Sequence, residues 1–285
     1  MKIGAIAPWF GGKRTLAPVI VEALGPHRCY WEPFCGSLAV LLAKEPCTWE
    51  FANDLHGDLV NLARVLQQED LALALYARAE RTLFVEAFSA ESRERLLEAW
   101  EPGPEPDPER AYHYLRFSWF ARNGTAGTPI GKTGTFCVRY SATGGDGARR
   151  WRSVVESIPD WHRRLRHVTI LGPSDAFKLL PRIDDAPGTV VYADPPYFVK
   201  STRYVHDFAA PDHARLAAEL RRFRRARVVL SYYEAPELGE LYPGWARIEC
   251  PVSKSMANAG QRGKKGRTEA PEVLLVNQPD LFTEG

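Results

Sequence analysis

The sequence has no apolar run approaching the roughly 20 residues that a membrane-spanning helix needs. Its first residues are not followed by the apolar core of a signal peptide, so we expect a cytosolic protein with no membrane partner. The five cysteines are odd in number and include no C-x-x-C pair, which argues against a disulfide framework and against a zinc site. The sequence therefore predicts neither a membrane protein nor a small secreted domain stapled by disulfides.

The dinucleotide-binding motif G-x-G-x-x-G is also missing. What is present is the composition of a folded globular protein, because 45% of the 285 residues are hydrophobic and 25% are charged. This length accommodates one large domain, or one domain that carries a sizeable insertion.

Charge is distributed unevenly along the chain, although the formal net charge is only +2. Residues 60–110 carry eleven acidic and six basic side chains, whereas residues 119–170 carry nine basic and three acidic ones. A second basic stretch, with five basic residues and one acidic residue, spans 251–270. Such asymmetry suits a polyanionic partner, but a solvated arginine-rich surface explains any one cluster equally well.

The stretch around which the chain is organised reads V-V-Y-A-D-P-P-Y-F, from Val190 to Phe198. Its β-branched and aromatic residues predict a buried strand, and the two prolines end that strand because they lack N–H donors. Asp194 and Tyr197 then lie in a rigid turn at the carboxyl edge of a sheet, where open α/β folds bind ligands. A carboxylate, backbone carbonyls and an aromatic ring can together hold a flat ring that bears an amino group.

Two earlier segments also suggest a binding site. The opening A-P-W-F-G-G-K, which ends at Lys13, predicts a loop that presents two aromatic rings and a cation; the alternative is a hydrophobic plug before the first helix. The segment from Tyr30 to Ser37 predicts a strand that turns sharply through Gly36 into a helix. Such a turn directs backbone N–H groups at the sheet edge, where the polar end of a cofactor can bind.

Two further carboxylates follow predicted strands. Asp54 comes after the strand Thr48–Ala52, at the place where nucleotide-binding folds hold ribose hydroxyls, and the alternative is helix capping by Asn53 or Asp54. Asp175 follows the strand Val168–Leu171, and it either caps its helix or accepts a hydrogen bond from a ligand amino group.

The alternation of strands and helices stops between these segments. Residues 58–166 have a largely helical pattern with a proline-rich break at 101–108, a predicted hairpin around Gly134–Tyr140 and one predicted helix over Trp151–Leu165. We interpret them as an insertion. Four more predicted strands follow, at 189–193, 228–232, 245–250 and 272–277. The pattern predicts an α/β protein with a mostly parallel sheet and helices on both faces.

Together these motifs resemble those of the adenine-specific N6 DNA methyltransferases of the Dam-like, D12 type. The matching pieces cover nearly the whole chain in that family's order: Trp9–Lys13, Glu32–Ser37, Asn53–Asp54, Gly172–Asp175 and Asp194–Tyr197. The resemblance implies a Rossmann-like S-adenosylmethionine-dependent methyltransferase fold. It divides the chain into a catalytic domain, residues 1–57 and 167–285, and a target-recognition insertion, residues 58–166.

The resemblance also implies ligands and site residues. The methyl donor would be S-adenosylmethionine, the acceptor would be adenine in double-stranded DNA, and no metal is implied. The cofactor would be bound by Trp9, Phe10, Lys13, Glu32, Pro33, Phe34, Gly36, Ser37, Asp54, Asp175 and Asp194. The target base would be held by Asp194, Pro195, Pro196 and Tyr197. DNA would be contacted by Lys13, Arg122, Asn123, Lys132, Arg139, Arg149, Arg150, Arg152 and Tyr204.

One position departs from the family pattern. The family usually has a second glycine in its first turn, where this chain has Leu38. A leucine side chain there would crowd the tail of the cofactor unless the backbone is shifted.

Three alternatives stay open at this level. The same chemistry could act on an RNA adenine or on a protein amide, although Asp194 in place of asparagine disfavours the amide by analogy with the family. A nucleic-acid-binding relative without activity would be expected to have a broken D-P-P-Y motif or no opening lysine, and neither is the case here. A cognate restriction endonuclease is a candidate partner.

Overall fold

The computed structural model describes residues 3–9, 11–121, 136, 146–198, 206, 208–250 and 271–277. Within these ranges seven strands form a single sheet. They are β1 (Cys29–Glu32), β2 (Trp49–Asn53), β3 (Thr169–Leu171), β4 (Thr189–Ala193), β5 (Arg227–Tyr233), β6 (Ala246–Glu249) and β7 (Glu272–Val276).

Helices flank this sheet on both sides. Those in the described ranges are α1 (Ala17–Leu24), α2 (Ala39–Ala43), α3 (Gly57–Gln67), α4 (Glu69–Glu80), α5 (Glu86–Leu97), α6 (Pro108–Phe120), α7 (Gly147–Val155), α8 (Ile158–Leu165), α9 (Ala176–Leu179), α10 (Ala210–Arg221) and α11 (Glu237–Leu241). A single 3₁₀ turn over Leu180–Arg182 continues α9.

The strand order is β3-β2-β1-β4-β5-β7-β6. The first five strands in this order pair in parallel, whereas β7 runs antiparallel to both β5 and β6. Apart from the hairpin predicted around 134–140, which lies outside the described residues except for Phe136, every strand predicted from the sequence is present to within two residues, and the predicted Rossmann-like, mostly parallel sheet is confirmed. The carboxyl ends of the parallel strands share one edge with the beginning of the antiparallel β7.

Strand β4 lies at the centre of the sheet, and its residues after Thr189 are apolar or aromatic. All five of its residues are buried. Val190 and Tyr192 pack in the hydrophobic cluster on one face, and Val191 and Ala193 pack in the cluster on the other. A strand covered on both faces buries side chains of both alternating sets, which favours the apolar and aromatic residues that precede Asp194.

The helices of residues 57–121 and 146–166 pack against the N-terminal segment. The indole N–H of Trp161 donates to the Ile3 carbonyl at 2.8 Å, and that of Trp119 donates to the Ile6 carbonyl at 3.1 Å. Ile3, Ile6 and Trp161 belong to the same hydrophobic cluster as β4. The described part of the predicted insertion therefore shares its core with the sheet, and the division of the chain into two domains stays a prediction.

The single helix predicted over Trp151–Leu165 is wrong, because the segment forms α7 and α8. The break falls at Ser157, whose hydroxyl donates to the Ser153 carbonyl at 2.7 Å and accepts from the Ile3 amide at 3.1 Å. Pro159 follows in the first turn of α8, a position where its missing N–H does no harm. A tertiary contact to the N-terminal segment thus stabilises a break that the apolar periodicity does not reveal.

The four cysteines that the structure describes are free thiols, of which Cys35 and Cys250 are buried. Among the described helices, none combines the length and apolar character that crossing a membrane would require.

Leu38 adopts a backbone conformation that usually belongs to glycine. It precedes α2 with φ +61° and ψ +25°, in the left-handed region, and its side chain is fully buried in the hydrophobic core. The backbone thus keeps the left-handed turn and the leucine points into the core, while the effect of Leu38 on a ligand stays a prediction. The conformation costs about 1–2 kcal/mol for a residue with a Cβ atom, which the burial of the side chain offsets.

We predict that Leu38→Gly destabilises the protein by about 1–3 kcal/mol, because losing a buried leucine costs about 2–5 kcal/mol while relief of the left-handed strain returns about 1–2 kcal/mol. Leu38→Ala loses the same packing and keeps the strain, so it should be the less stable of the two variants. Thermal unfolding followed by circular dichroism measures this order. A Leu38→Gly variant that is more stable than the wild type would contradict the predicted destabilisation.

Candidate active site

Asp54 joins the end of β2 to the turn after β1. Its Oδ2 atom accepts a hydrogen bond from the Gly36 amide at 2.8 Å, and its Oδ1 atom accepts one from the His56 amide at 2.9 Å. Gly36 has φ +45°, a conformation that favours glycine. The carboxylate therefore holds the first glycine turn in place, at the sheet edge where the sequence predicts a ribose-binding acid.

The predicted alternative, that Asn53 or Asp54 caps α3, is wrong. His56 is the N-cap residue, and its Nδ1 atom accepts from the Leu59 amide at 3.3 Å. Because Nδ1 acts as the acceptor, the ring is neutral in this arrangement, and burial lowers the pKa of His56. The ring also packs edge-on against Trp9, with centroids 5.7 Å apart.

Asn53 is buried and connects three loops of the site. Its amide nitrogen donates to the Pro33 carbonyl at 3.0 Å and to the Ser174 carbonyl at 2.9 Å. On its other side lies Gly172, where a Cβ atom would stand 2.4 Å from the Asn53 side-chain oxygen. The turns after β1, β2 and β3 are thus held together by one side-chain amide.

Trp9 lies against the glycine turn. A Cβ atom at Gly36 would stand 3.2 Å from the indole nitrogen of Trp9, so the turn accepts no larger residue without movement of that ring. Trp9 is half-buried, between Gly36 and His56. The opening loop therefore contacts the turn after β1, and its role in lining a ligand site stays a prediction.

Asp175 caps a helix in this structure. Its Oδ1 atom accepts from the Phe177 amide at 3.0 Å, at the N-terminus of α9. Beside it, the ring of Phe177 stacks on Phe208 at 5.7 Å, and Phe208 meets Phe34 edge-on at 5.9 Å. Capping places the Asp175 carboxylate beside these aromatic rings. The role of Asp175 towards a ligand stays a prediction.

At the centre of the edge, Lys13 lies between two carboxylates. Its ammonium nitrogen is 2.9 Å from Asp194 Oδ2, 3.0 Å from Glu272 Oε1 and 2.6 Å from the Gly11 carbonyl. The Tyr197 hydroxyl lies 2.6 Å from the same Glu272 oxygen and 3.0 Å from Asp194 Oδ1. Four side chains from three segments of the chain thus form one hydrogen-bonded cluster, which we call the lysine cluster.

The lysine cluster perturbs the ionisation of its members. Burial alone would lower the pKa of Lys13, but the charges of Asp194 and Glu272 outweigh it and raise that pKa, so the ammonium stays charged. Burial raises the pKa of Asp194 to about 6; Lys13 opposes this rise and Glu272 adds to it. Burial and both carboxylates raise the pKa of Tyr197, so its hydroxyl keeps its proton. At neutral pH Asp194 is mostly an anion that can accept hydrogen bonds.

Glu32, at the end of β1, lies deeper than the other predicted site residues. Only 2% of it is exposed, and it accepts a hydrogen bond from the Tyr30 hydroxyl at 2.9 Å. Burial raises the pKa of Glu32 to about 8, against the effect of that hydrogen bond. Pro33 and Ser37 are also buried, whereas Phe34 is half-exposed. Direct contact between a ligand and Glu32 stays a prediction.

The aromatic ring of Tyr197 lies among other rings. It is 4.6 Å from Tyr233 in an edge-on arrangement and 5.4 Å from Tyr232, both on β5, and the Lys13 ammonium lies 5.1 Å from its centroid. These contacts and the hydroxyl hydrogen bond fix the plane of the Tyr197 ring. A rigid aromatic face next to a carboxylate can stack on a planar base.

The predicted DNA contacts other than Lys13, which belongs to the lysine cluster, divide into three groups. Arg149 and Arg152 are exposed on α7. Arg150 is half-buried and donates to the Trp119 carbonyl at 2.7 Å, so it also has a structural task. The remaining predicted contacts, and one predicted cofactor residue, lie outside the described residues: Phe10, Arg122, Asn123, Lys132, Arg139 and Tyr204. The hairpin predicted around 134–140 lies outside them as well, apart from Phe136.

Sequence reasoning missed Glu272. It was interpreted only as the beginning of the last strand, but β7 is antiparallel and pairs Glu272 with Tyr233 at the carboxyl end of β5. The first residue of an antiparallel strand therefore lies at the same edge as the last residues of the parallel strands. The available signal was an acidic residue directly before the apolar run V-L-L-V.

The fold and this strand-edge site define a methyltransferase-type α/β protein. The family model for the D12 class N6 adenine-specific DNA methyltransferase matches residues 9–253. The chain belongs to that family, which confirms the enzyme class that the sequence resemblance implied, an adenine-specific DNA methyltransferase.

Individual relatives are more distant. The DNA adenine methylase of Serratia marcescens is 26% identical over 95% of this chain and 97% of its own length. Among solved structures, the rRNA methyltransferase AviRa of Streptomyces viridochromogenes matches 94% of this chain and 85% of its own, with 14% identity and a TM-score of 0.39. A likeness this low adds nothing to the family assignment.

We predict that Lys13→Met raises the pKa of Asp194 above about 6, because it removes the cation that holds this pKa down while Glu272 and burial still raise it. Carboxyl ¹³C NMR titration of labelled protein measures the shift. Lys178→Met, an exposed lysine on α9, is the control and should leave the titration of Asp194 unchanged. An unshifted or lower pKa in Lys13→Met would contradict the geometry of the lysine cluster.

Proposed function

We propose that the protein transfers a methyl group from S-adenosylmethionine to the N6 amino group of an adenine in double-stranded DNA. The observation that carries this proposal is the Asp194 carboxylate, held at a strand end beside the Tyr197 ring and a buried lysine. It lies at the same sheet edge as the Gly36 turn and Asp54. One edge thus offers an acceptor for an amino group and a separate turn suited to a nucleoside.

The residues present fit S-adenosylmethionine. Gly36 gives a turn with no side chain, fastened by Asp54, whose carboxylate would also accept from the ribose hydroxyls. Phe34 and Ser37 would surround the methionine end. Trp9 and the Asp175 carboxylate would lie beside the rest of the cofactor. Leu38 leaves this region open because its side chain is buried in the core.

When bound, S-adenosylmethionine supplies a methyl group on a positively charged sulfur. The adenine amino nitrogen is a weak nucleophile because its lone pair is delocalised into the ring. Hydrogen bonds from N6 to the Asp194 carboxylate and the Pro195 carbonyl would favour the pyramidal form and direct the lone pair at the methyl carbon.

In the proposed displacement, N6 would form a bond to the methyl carbon as the carbon–sulfur bond breaks, and the electron pair of that bond would stay on sulfur. N6 would then carry the positive charge until it loses a proton. We propose that Asp194 accepts this proton and then passes it to water. The Asp194 anion therefore has two tasks, to orient the amino group and to stabilise the charge that develops on it.

The target base must leave the duplex to reach this turn. Flipping costs a few kcal/mol, and stacking on the Tyr197 ring would offset part of that cost. The charge pattern supports DNA as the partner, because residues 119–170 carry nine basic and three acidic side chains.

We further propose a cytosolic location and the division into a catalytic domain, 1–57 and 167–285, and a target-recognition insertion, 58–166. A cognate restriction endonuclease stays a candidate partner, tested by co-purification.

The decisive assay incubates the protein with a labelled methyl donor and unmethylated genomic DNA, followed by sequencing that detects N6-methyladenine. Parallel reactions with RNA and with protein test the alternative substrates. Label found only in RNA or in protein would overturn the proposal, and so would the absence of label from all three.

We predict that Asp194→Ala abolishes methyl transfer and leaves the dissociation constant for S-adenosylmethionine within about threefold, because the carboxylate acts mainly on the target amino group. Isothermal titration measures binding, and incorporation of labelled methyl groups into DNA measures activity. Asp184→Ala, an exposed carboxylate before β4, is the matched control and should retain activity. Equal loss of cofactor binding and activity in Asp194→Ala would contradict the assigned role.

We predict that replacing Arg149 and Arg152 together by alanine weakens DNA binding and makes its salt dependence shallower by about two in log–log slope, roughly one for each phosphate that is no longer neutralised. Fluorescence anisotropy over a range of salt concentrations measures the slope. The control is Arg163→Ala, an exposed arginine on α8 that pairs with Asp160. An unchanged slope in the double variant would assign α7 to ordinary solvated surface.

A further inference from the structure

Glu272 is the first residue of β7 and the only member of the lysine cluster that no motif of the sequence identified. The antiparallel pairing with β5 carries it to the edge where Asp194 lies. Its side chain is 18% exposed, against 20% for Asp194 and 5% for Lys13. It is thus as enclosed as the carboxylate assigned to the target base, although it lies 78 positions further along the chain.

The hydrogen bonds of the cluster give Glu272 a defined task. A lysine ammonium has three N–H donors, and those of Lys13 are directed at the Gly11 carbonyl, Asp194 and Glu272. The Tyr197 hydroxyl has one proton, and its shorter contact, 2.6 Å, is to Glu272 rather than to Asp194 at 3.0 Å. Glu272 therefore shares with Asp194 both groups that donate to Asp194, the Lys13 ammonium and the Tyr197 hydroxyl.

The charges lead to the same conclusion. One ammonium between two carboxylates leaves the site with one net negative charge. If Glu272 were neutral, Lys13 and Asp194 would form a neutral pair, and the ammonium would oppose the positive charge that develops on N6. A site that must stabilise a cation beside a lysine needs a second carboxylate to neutralise that lysine.

We propose that Glu272 is a positioning residue: it neutralises Lys13 and holds the Tyr197 hydroxyl, so that the Asp194 carboxylate is free for the amino group of the target adenine. This inference rests on the proposed function. In the free enzyme the Lys13 ammonium occupies the acceptor site on Asp194 Oδ2. When the target base enters, Glu272 keeps the lysine in place as Asp194 exchanges one N–H partner for another.

The test is Glu272→Gln, which removes the charge and keeps the shape. We expect the rate at saturating S-adenosylmethionine and DNA to fall by about 10- to 100-fold. The dissociation constant for S-adenosylmethionine should stay within about twofold of the wild-type value, which also shows that the variant is folded. Glu249→Gln, an exposed glutamate on the neighbouring strand β6, is the matched control and should retain the wild-type rate.

The pH–rate profile separates positioning from a merely structural role. Glu272 raises the pKa of Asp194 and Lys13 lowers it, so Glu272→Gln should move the acid limb of the pH–rate profile to lower pH than in the wild type. The other titratable groups that face Asp194 come from β1, β4, β5 and its own turn, and they are unchanged in the variant: Glu32, Tyr192, Tyr197, Tyr232 and Tyr233.

A second variant, Lys13→Met/Glu272→Gln, tests neutralisation directly. Since the glutamine variant suffers from an unneutralised lysine, removal of that lysine should restore part of the lost rate, and the two losses should not add. Additive losses of rate would overturn the inference. A pH–rate profile of Glu272→Gln whose acid limb stays at the wild-type pH would also overturn it. A wild-type enzyme that transfers no methyl group to DNA would refute the proposed function, whereas an active wild type with an equally active Glu272→Gln variant would refute only this inference.

Discussion

The ammonium group of Lys13 joins three segments that lie far apart in the chain: the opening loop, the turn after β4 and the beginning of β7. It does so through contacts of 2.9 Å to Asp194 and 3.0 Å to Glu272. In a buried environment a charge without its partner is strongly destabilising, so each of the three groups depends on the other two. The orientation of the Asp194 turn, and with it the proposed chemistry, follows from this one ion cluster.

A parallel sheet makes such a cluster possible. The carboxyl ends of β1, β2, β4 and β5 lie at one edge, and the reversed β7 adds its first residue there. Side-chain hydrogen bonds then fasten the turns to one another. Asp54 holds the Gly36 amide, and Asn53 holds the Pro33 and Ser174 carbonyls. Residues proposed to bind ligands thus also form the scaffold of the site, which keeps the acceptors in position before any ligand arrives.

Most elements of the fold could be predicted because local rules and tertiary packing agree. The strand Thr189–Ala193 is buried on both faces, as its mostly apolar composition predicts. Prediction failed where a distant contact decides the outcome. The break between α7 and α8 depends on the hydrogen bond from Ile3 to Ser157. Asp54 and Asn53 bond to distant backbone groups, those of Gly36 and Pro33, and His56 caps α3 in their place. Leu38 keeps a glycine-like backbone because the core accepts its side chain, which no local pattern indicates.

The sequence by itself determined the seven strands, the family and the motif residues Lys13, Asp54 and Asp194, because short apolar runs and the residues that end them are local signals. Only the tertiary structure decided how these residues meet. The direction of β7 brings Glu272 beside Lys13, and that direction is set by hydrogen bonding to β5 rather than by the residues of β7 alone. Long-range pairing also sets the charge of the site, since two carboxylates around one lysine are visible only when the strand ends lie side by side.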